Sequence, residues 1–341
     1  MIEGTSKNKP GTVTANLYVK RYPTMGSKTL ARLMYAENPT TFPTLNAASC
    51  AIRTRRGAMG KDHRNQRPVE RVVVESPIVD ARSFVNKFQI PEGDLADFMP
   101  FVLGPDVQRL GIISDLHVPY HDPQALHVAL MELRRVKIDT LLINGDLIDF
   151  HMLSRFQKDP RARDFKQERE CTFLVLGAIR RALPGVRIIY KKGNHEERYD
   201  SYMAIKAPEV FKVDEFSFET LFEFPGMEIV GEKRLIVLDR LTILHGHEYT
   251  ARGITEPVNP ARGMFLRAKD SVLVGHWHQP SSHTEPTVRG RPITTWSTGC
   301  LCDLHPAYMP LNKWRHGFAI VIRDGGKFRV ENRTIIDGAL V

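Results

Sequence analysis

Cysteine is scarce in this chain, and what there is does not form a framework. Four cysteines stand among 341 residues, Cys50, Cys171, Cys300 and Cys302. That is no scaffold for a small secreted fold held by disulfides. Long apolar runs are missing too: no stretch approaches the roughly 18 residues of a membrane-spanning helix. The first twenty residues lack the apolar core of a secretory signal. These absences lead us to expect a reducing, cytoplasmic setting and no membrane. Internal repeats and low-complexity tracts are also absent, which sets aside solenoid architectures. Acidic residues are short at one end only. Residues 1–70 hold 12 Lys/Arg against 4 Asp/Glu, whereas the remaining 271 hold 36 against 35. Nearly all of the +9 net charge therefore sits in the N-terminal fifth, which points to a polyanion-binding module on a nearly neutral body. A hydrophobic content of 42% allows a sizeable core.

The order of elements follows from periodicity and punctuation. Residues 1–24 read as a polar lead-in. A helix is expected over Ser27–Asn38, with Ser27 as its N-cap and Pro39 closing it. A second is expected over Leu45–Arg56, stopped by Gly57, with Arg53, Arg55 and Arg56 clustered at its end. Two short helices with a basic second one resemble a helix-turn-helix DNA-binding unit. The other reading of the arginines is that they complement the helix dipole or dock a protein. Residues 71–107 form a connector interrupted by prolines, with a short strand expected at Val72–Val74. From residue 108 to the end, strands alternate with helices. Strands are expected near 110–114, 140–144, 186–190, 235–238, 241–244 and 272–274. Helices are expected at 123–136, 165–183, 202–224 and 261–269, and antiparallel strands at 293–297, 318–322 and 327–334.

Residues of metal-ligand type gather where these strands end. An apolar run, Leu141–Ile143, stops at Asn144-Gly145-Asp146, the pattern of a buried parallel strand delivering a carboxylate into a cleft. A carboxylate has two oxygens and can bridge two cations. Four other segments finish in the same manner: Asp115 with His117, Asn194 with His195, His245, and His276 with His278. Open α/β sheets place their sites at strand C-termini. Asp-x-His and His-x-His would present both side chains on one side of a strand. Imidazoles, carboxylates and one amide suit Mn, Fe or Zn better than an all-oxygen calcium cage. Each ligand type alone is more often a satisfied polar group, so the argument rests on the set. Tyr120, His121, Arg198 and Arg252 follow ligand segments and are weaker substrate contacts. Cys300 and Cys302 lack a second pair for zinc. The aromatic segment Trp296–Trp314 is read as packing on a sheet rather than as a cleft wall.

The five blocks Asp115-x-His117, Gly145-Asp146-x-x-Asp149, Gly193-Asn194-His195-Glu196, His245-Gly246 and Gly275-His276-x-His278 resemble the calcineurin-like metallophosphoesterases, in order and over roughly residues 108–335. The resemblance implies an α/β (α+β) fold, a four-layer sandwich of two mixed β-sheets flanked by helices, here carrying a small helical N-terminal module. It implies two divalent cations, one on Asp115, His117 and His278, the other on Asn194, His245 and His276, with Asp146 bridging them. His195 would face the substrate, oriented by Asp149. The implied activity is phosphate-ester hydrolysis by a hydroxide held between two ions. The basic N-terminus turns the substrate expectation toward DNA, hence a phosphodiesterase or nuclease. The alternatives are a phosphomonoesterase, a small-nucleotide phosphodiesterase, or a nucleic-acid-binding protein on an inactive phosphoesterase scaffold. Phe150-His151 stand where the protein phosphatases of this family carry Arg-Gly, which disfavours that activity.

Overall fold

The computed structural model describes residues 9–57, 89, 91, 93, 98–155, 164–249 and 258–341. The chain divides into two compact units, Met1–Asp94 and Leu95–Val341. Val72–Val74 and Arg252 lie outside the described residues.

Among its described residues the first unit has three helices, α1 (Pro10–Arg21), α2 (Ser27–Glu37) and α3 (Leu45–Arg55). α1 falls where the sequence suggests only a polar lead-in. Pro10 opens it, as proline does at a first helical position, and it is held by two small contacts, Ala15 and Tyr18, against Leu30, Met34, Phe42, Ala48 and Ile52. A face that narrow leaves little period to read. Ser27 is not the N-cap of α2. Gly26 takes that position, and the Ser27 hydroxyl instead accepts from Arg56 Nη1 at 3.1 Å. Thr44 caps α3 by accepting from the Ala47 amide.

The second unit is a sandwich of two mixed sheets flanked by helices. The seven-stranded sheet runs β13 (Ala339–Leu340), β12 (Lys327–Ile336), β11 (His316–Asp324), β2 (Arg109–Ile113), β3 (Thr140–Asn144), β4 (Arg187–Lys191), β5 (Met227–Val230). The six-stranded sheet runs β1 (Phe101–Val102), β6 (Ile236–Leu238), β7 (Leu241–Ile243), β8 (Val272–Val274), β10 (Pro292–Ser297), β9 (Ser281–Pro286). Alternation sorts the side chains of β2, β3 and β4. Leu110, Ile112, Leu142 and Ile189 meet Ile236, Leu238, Ile243 and Leu273 of the facing sheet. Ile113, Leu141, Ile143, Ile188 and Tyr190 point the other way, onto α4 (Pro123–Val136) and α5 (Phe165–Ala182). Each such fully buried Leu or Ile stabilises the fold by roughly 1.5–3 kcal/mol. α8 (Pro260–Ala268) covers the outer face of the smaller sheet through Met264, against Val272 and Val274.

Some expectations change. Residues 202–224 are not one helix. α6 (Glu197–Lys206) ends before Pro208, because a residue preceding proline is pushed out of the helical region, and a 3-10 turn (Asp214–Phe216) and the short α7 (Phe218–Leu221) follow. Phe101–Val102, expected in the connector, pairs with Ile236–Val237. β9 is polar and β5 is only four residues long, as suits sheet edges.

Candidate metal centre

β2, β3 and β4 are parallel neighbours, and β7 and β8 are parallel in the other sheet. Their C-terminal ends deliver all the ligand-type residues to one edge of the sandwich. The pleat does not aim them, contrary to the alternation argument. Asp115, His117, Asp146, His276 and His278 stand beyond the strands with left-handed backbones, φ 57°, 49°, 51°, 67° and 56°. Such conformations cost on the order of 1–3 kcal/mol each for a side chain other than glycine, and they persist only where the surroundings impose them. Here the loops lock one another: the Asp115 amide donates to the Gly145 carbonyl at 3.1 Å, and the His117 amide to the Asp146 carbonyl at 3.0 Å.

Asp146 lies at the centre. Its Oδ2 is 3.2 Å from His245 Nε2, 3.7 Å from His195 Nε2 and 3.8 Å from His117 Nε2, while its Oδ1 accepts from the His195 amide at 3.0 Å. Asp115 Oδ1 is 3.1 Å from His278 Nε2. Asn194 Oδ1 is 3.1 Å from His245 Nε2. Donor atoms of Asp115, His117 and Asp146 gather within 4.8 Å of one another, and so do those of Asp146, His245 and His276. The two groups share Asp146. His117 Nε2 and His278 Nε2 face each other at 3.3 Å, so at least one of them offers a bare lone pair. Carboxylates, imidazoles and an amide oxygen converging in this way fit divalent cations of borderline softness.

The electrostatics show what a cation would displace. Burial opposes charge on Asp146, but His195, His245 and His117 hold its carboxyl well below the usual range. Burial likewise disfavours charge on His245, yet Asp146 and Asp115 push it up to about 10. His276 goes the other way: burial and the neighbouring His245 push it down to about 3. It is a neutral imidazole ready to coordinate.

Several supporting groups were not legible. Asp149, expected to orient His195, divides its carboxylate between two rings, 3.2 Å from both His117 Nδ1 and His195 Nδ1. The nearer acceptor for His195 Nδ1 is the Asp149 carbonyl, at 2.8 Å. Arg198 donates to that same carbonyl at 2.7 Å and lies 2.8 Å from His195 Nε2. His245 is turned inward because its Nδ1 donates to the Asn144 carbonyl at 2.7 Å. Glu196 precedes α6 but makes no cap bond to it. Its buried carboxylate accepts from the amides of Gly193, Asp146, Leu147 and Ile148 and from the Tyr190 hydroxyl. Glu248 braces the other side, accepting from the His245 and Gly246 amides and pairing at 2.9 Å with fully buried Lys191. Burial opposes its charge, but Lys191 keeps the Glu248 carboxyl at about 2. Glycines precede the ligands for want of space: a Cβ on Gly193 would stand 2.3 Å from Asp146 Oδ1.

The aromatic segment divides. Trp296 meets Phe328 between the sheets, as expected, but Trp314 lies edge-on to His278 at 4.2 Å and Tyr308 packs beside it. Cys302 Sγ sits 3.9 Å from His278 Nδ1, behind the ring. Arg53 and Arg55 are exposed on α3, whereas Arg56 is engaged within its unit, donating to the carbonyls of Tyr22 and Pro23 as well as to Ser27. Among the described residues no helix is long and apolar enough to cross a membrane.

A family model described as calcineurin-like phosphoesterase matches residues 108–305. The Gene 54 proteins of Mycobacterium phages L5 and D29 are each 27% identical to this chain, over 245 and 243 residues, which is 68% of this chain and 95% of each relative. Two solved structures are similar at 16% identity over 68% of this chain and 96% of theirs. One is YfcE, a phosphoesterase from E. coli, with a TM-score of 0.34. The other is Vps29 from Entamoeba histolytica complexed with Zn²⁺, with a TM-score of 0.36. The matched span of 198 residues, more than half of the chain, takes in all five ligand segments. This chain belongs to the calcineurin-like phosphoesterase family, hydrolases of phosphoester bonds.

Proposed function

We propose that the protein is a phosphodiesterase that works with two divalent cations and acts on DNA. The observation that carries the metal assignment is the sharing of Asp146 between two donor groups. Asp115, His117 and His278 would hold one ion, and Asn194, His245 and His276 the other, with Asp146 between them. Such a pair supplies Lewis acidity to a phosphoryl oxygen and brings the pKa of bound water down to about 7. The chain's own groups do the rest. The Asp149 carbonyl accepts from His195 Nδ1, which leaves Nε2 turned to the cleft. Burial opposes a positive charge on His195, but Asp146 and Asp149 raise its pKa; Nε2 accepts from Arg198 at 2.8 Å in this geometry, so it would serve a departing oxygen as an acid only once a proton takes the place of that contact. Arg198 stands beside that nitrogen and adds positive charge where negative charge develops. Manganese is the working choice of cation. The DNA reading rests on the basic first unit and the exposed Arg53 and Arg55 of α3.

The test compares bis-p-nitrophenyl phosphate with p-nitrophenyl phosphate in added Mn²⁺, with a chelator control. Diester cleavage abolished by the chelator is expected. Cleavage of the monoester alone would replace this reading by a phosphomonoesterase. Asp146→Asn should lose metal and turnover by more than the roughly 10–100-fold typical of an outer hydrogen bond. His195→Ala should keep its metal content and lose roughly 10²–10⁴-fold in kcat. Metal loss in His195→Ala would make that residue a ligand instead.

A further inference from the structure

A pocket of about 700 Å³ opens beside the metal centre, between the segment Leu153–Arg155 and α6. That volume is of the size that takes a drug-sized or nucleotide-sized ligand. Asn194 lines it where it meets the centre, and Arg198, Tyr202, Ile205 and Lys206 continue along its wall. The helical period explains the row. Arg198, Tyr202 and Lys206 are spaced by four, so they form one stripe, and Lys206 stands about 12 Å along the axis from Arg198. Tyr202 and Ile205 line this pocket and are 40% and 73% exposed to solvent. Arg155 faces the row from the opposite wall. Glu197, the carboxylate among the described lining residues, is paired with Lys233 at 3.2 Å. The pocket therefore offers a cation at the centre, then a flat aromatic ring and an aliphatic chain, then further cations.

We propose that this pocket is the subsite for the nucleotide next to the scissile phosphodiester, with Tyr202 stacking on its base and Lys206 and Arg155 holding the following, uncleaved phosphate. The inference rests on the phosphodiesterase reading above and adds the substrate class: a single strand, unstacked at the centre, rather than an isolated phosphate ester. Alternating cations and π-faces are how single-stranded nucleic acid is held without sequence preference. The spacing along one helix face makes the row a ruler for a strand leaving the metal centre.

The experiment uses the full chain in Mn²⁺ and two diesters, 5′-phosphorylated dithymidylate and bis-p-nitrophenyl phosphate, which has neither base nor second phosphate. For Tyr202→Ala and Lys206→Ala, the ratio of kcat/KM for the dinucleotide to that for the small diester is expected to fall at least fivefold, mainly through KM. Base–aromatic stacking is strong enough for roughly a 5- to 100-fold effect. For Lys206→Ala the fall should vanish with a dinucleotide lacking the 5′-phosphate. A ratio within fivefold of the wild type in both variants overturns the subsite. So does an enzyme that cleaves the small diester and leaves the dinucleotide intact. A second readout is independent of turnover: anisotropy of fluorescein-labelled dinucleotide titrated with protein in chelator. A fivefold or greater loss of affinity in both variants supports the subsite even if neither diester is cleaved, which would sink the phosphodiesterase reading alone. Equal affinities overturn the subsite.

Discussion

At the scale of single residues, the centre is a set of bases that hold protons a cation must expel. His245 and His278 are both pushed up to about 10; burial opposes this in each, and Asp146 with Asp115 for His245, Cys300 with Asp115 for His278, outweigh it. Both imidazoles are therefore protonated near neutrality when no cation is bound, and only a neutral imidazole coordinates. Metal uptake should release about two protons per chain. Affinity should weaken as pH falls, because protons and metal compete for the same nitrogens. Titration of Mn²⁺ or Zn²⁺ by calorimetry at pH 7, in two buffers of different ionisation enthalpy, measures this directly. Equal apparent enthalpies in the two buffers would mean that no proton is displaced. The ligand types were legible in the sequence because each segment follows an apolar strand, with a glycine directly before Asp146, Asn194 and His276. Their partners were not. Nothing near Asp149 in the sequence points to His117, 32 positions away, and the acceptors for His195 and His245 are backbone carbonyls, which any residue supplies.

At the scale of elements, the site is built from turns rather than strands. Five proposed ligands in left-handed turns require loops that hold one another, and Glu196 is the chief clamp. One carboxylate collects three successive amides, Asp146 to Ile148, from the turn that carries the bridging residue. Gln at position 196 keeps one acceptor oxygen but sets an amide NH₂ against backbone N–H groups. Hydrogen bonds to a charged group contribute roughly 1.5–3 kcal/mol, so Glu196→Gln should lose at least that much stability and, with the Asp146 turn released, bind metal more weakly. Tyr190→Phe removes one of the five donors and should cost about 1 kcal/mol. Urea unfolding and metal analysis on both variants check the order. Equal, small effects would show that Glu196 fills space without holding the turn. The sequence revealed the long elements well. Pro123–Val136 and Thr140–Asn144 lie where periodicity puts them, because an apolar face or an apolar run is an unambiguous period. The elements missed were α1, β1, β5, β9 and β13. Each is short or polar and owes its form to a neighbour, so no local pattern announces it.

At the scale of the molecule, charge and chemistry are divided between two units. The excess positive charge belongs to residues 1–70, in the unit whose described core is built from α1, α2, α3 and Phe42. The residues proposed to hold the cations all belong to Leu95–Val341. If the first unit is what grips DNA, removing it should separate binding from hydrolysis. Residues 95–341 alone should cleave bis-p-nitrophenyl phosphate within twofold of the full chain, while affinity for a DNA duplex drops and depends less on salt. Each phosphate contact contributes about 0.9 to the slope of log K against log salt concentration. An Arg53→Ala, Arg55→Ala double variant of the full chain should then flatten that slope by about 1.8. Arg56→Ala should behave differently. Its guanidinium ties the end of α3 to Tyr22, Pro23 and Ser27, so its loss should lower the melting temperature of the first unit and change the salt slope little. Binding measured by anisotropy from about 50 to 200 mM salt distinguishes these outcomes. An unchanged slope in the truncated chain would move the DNA contact onto the catalytic unit, where Arg155, Arg198 and Lys206 already line the pocket.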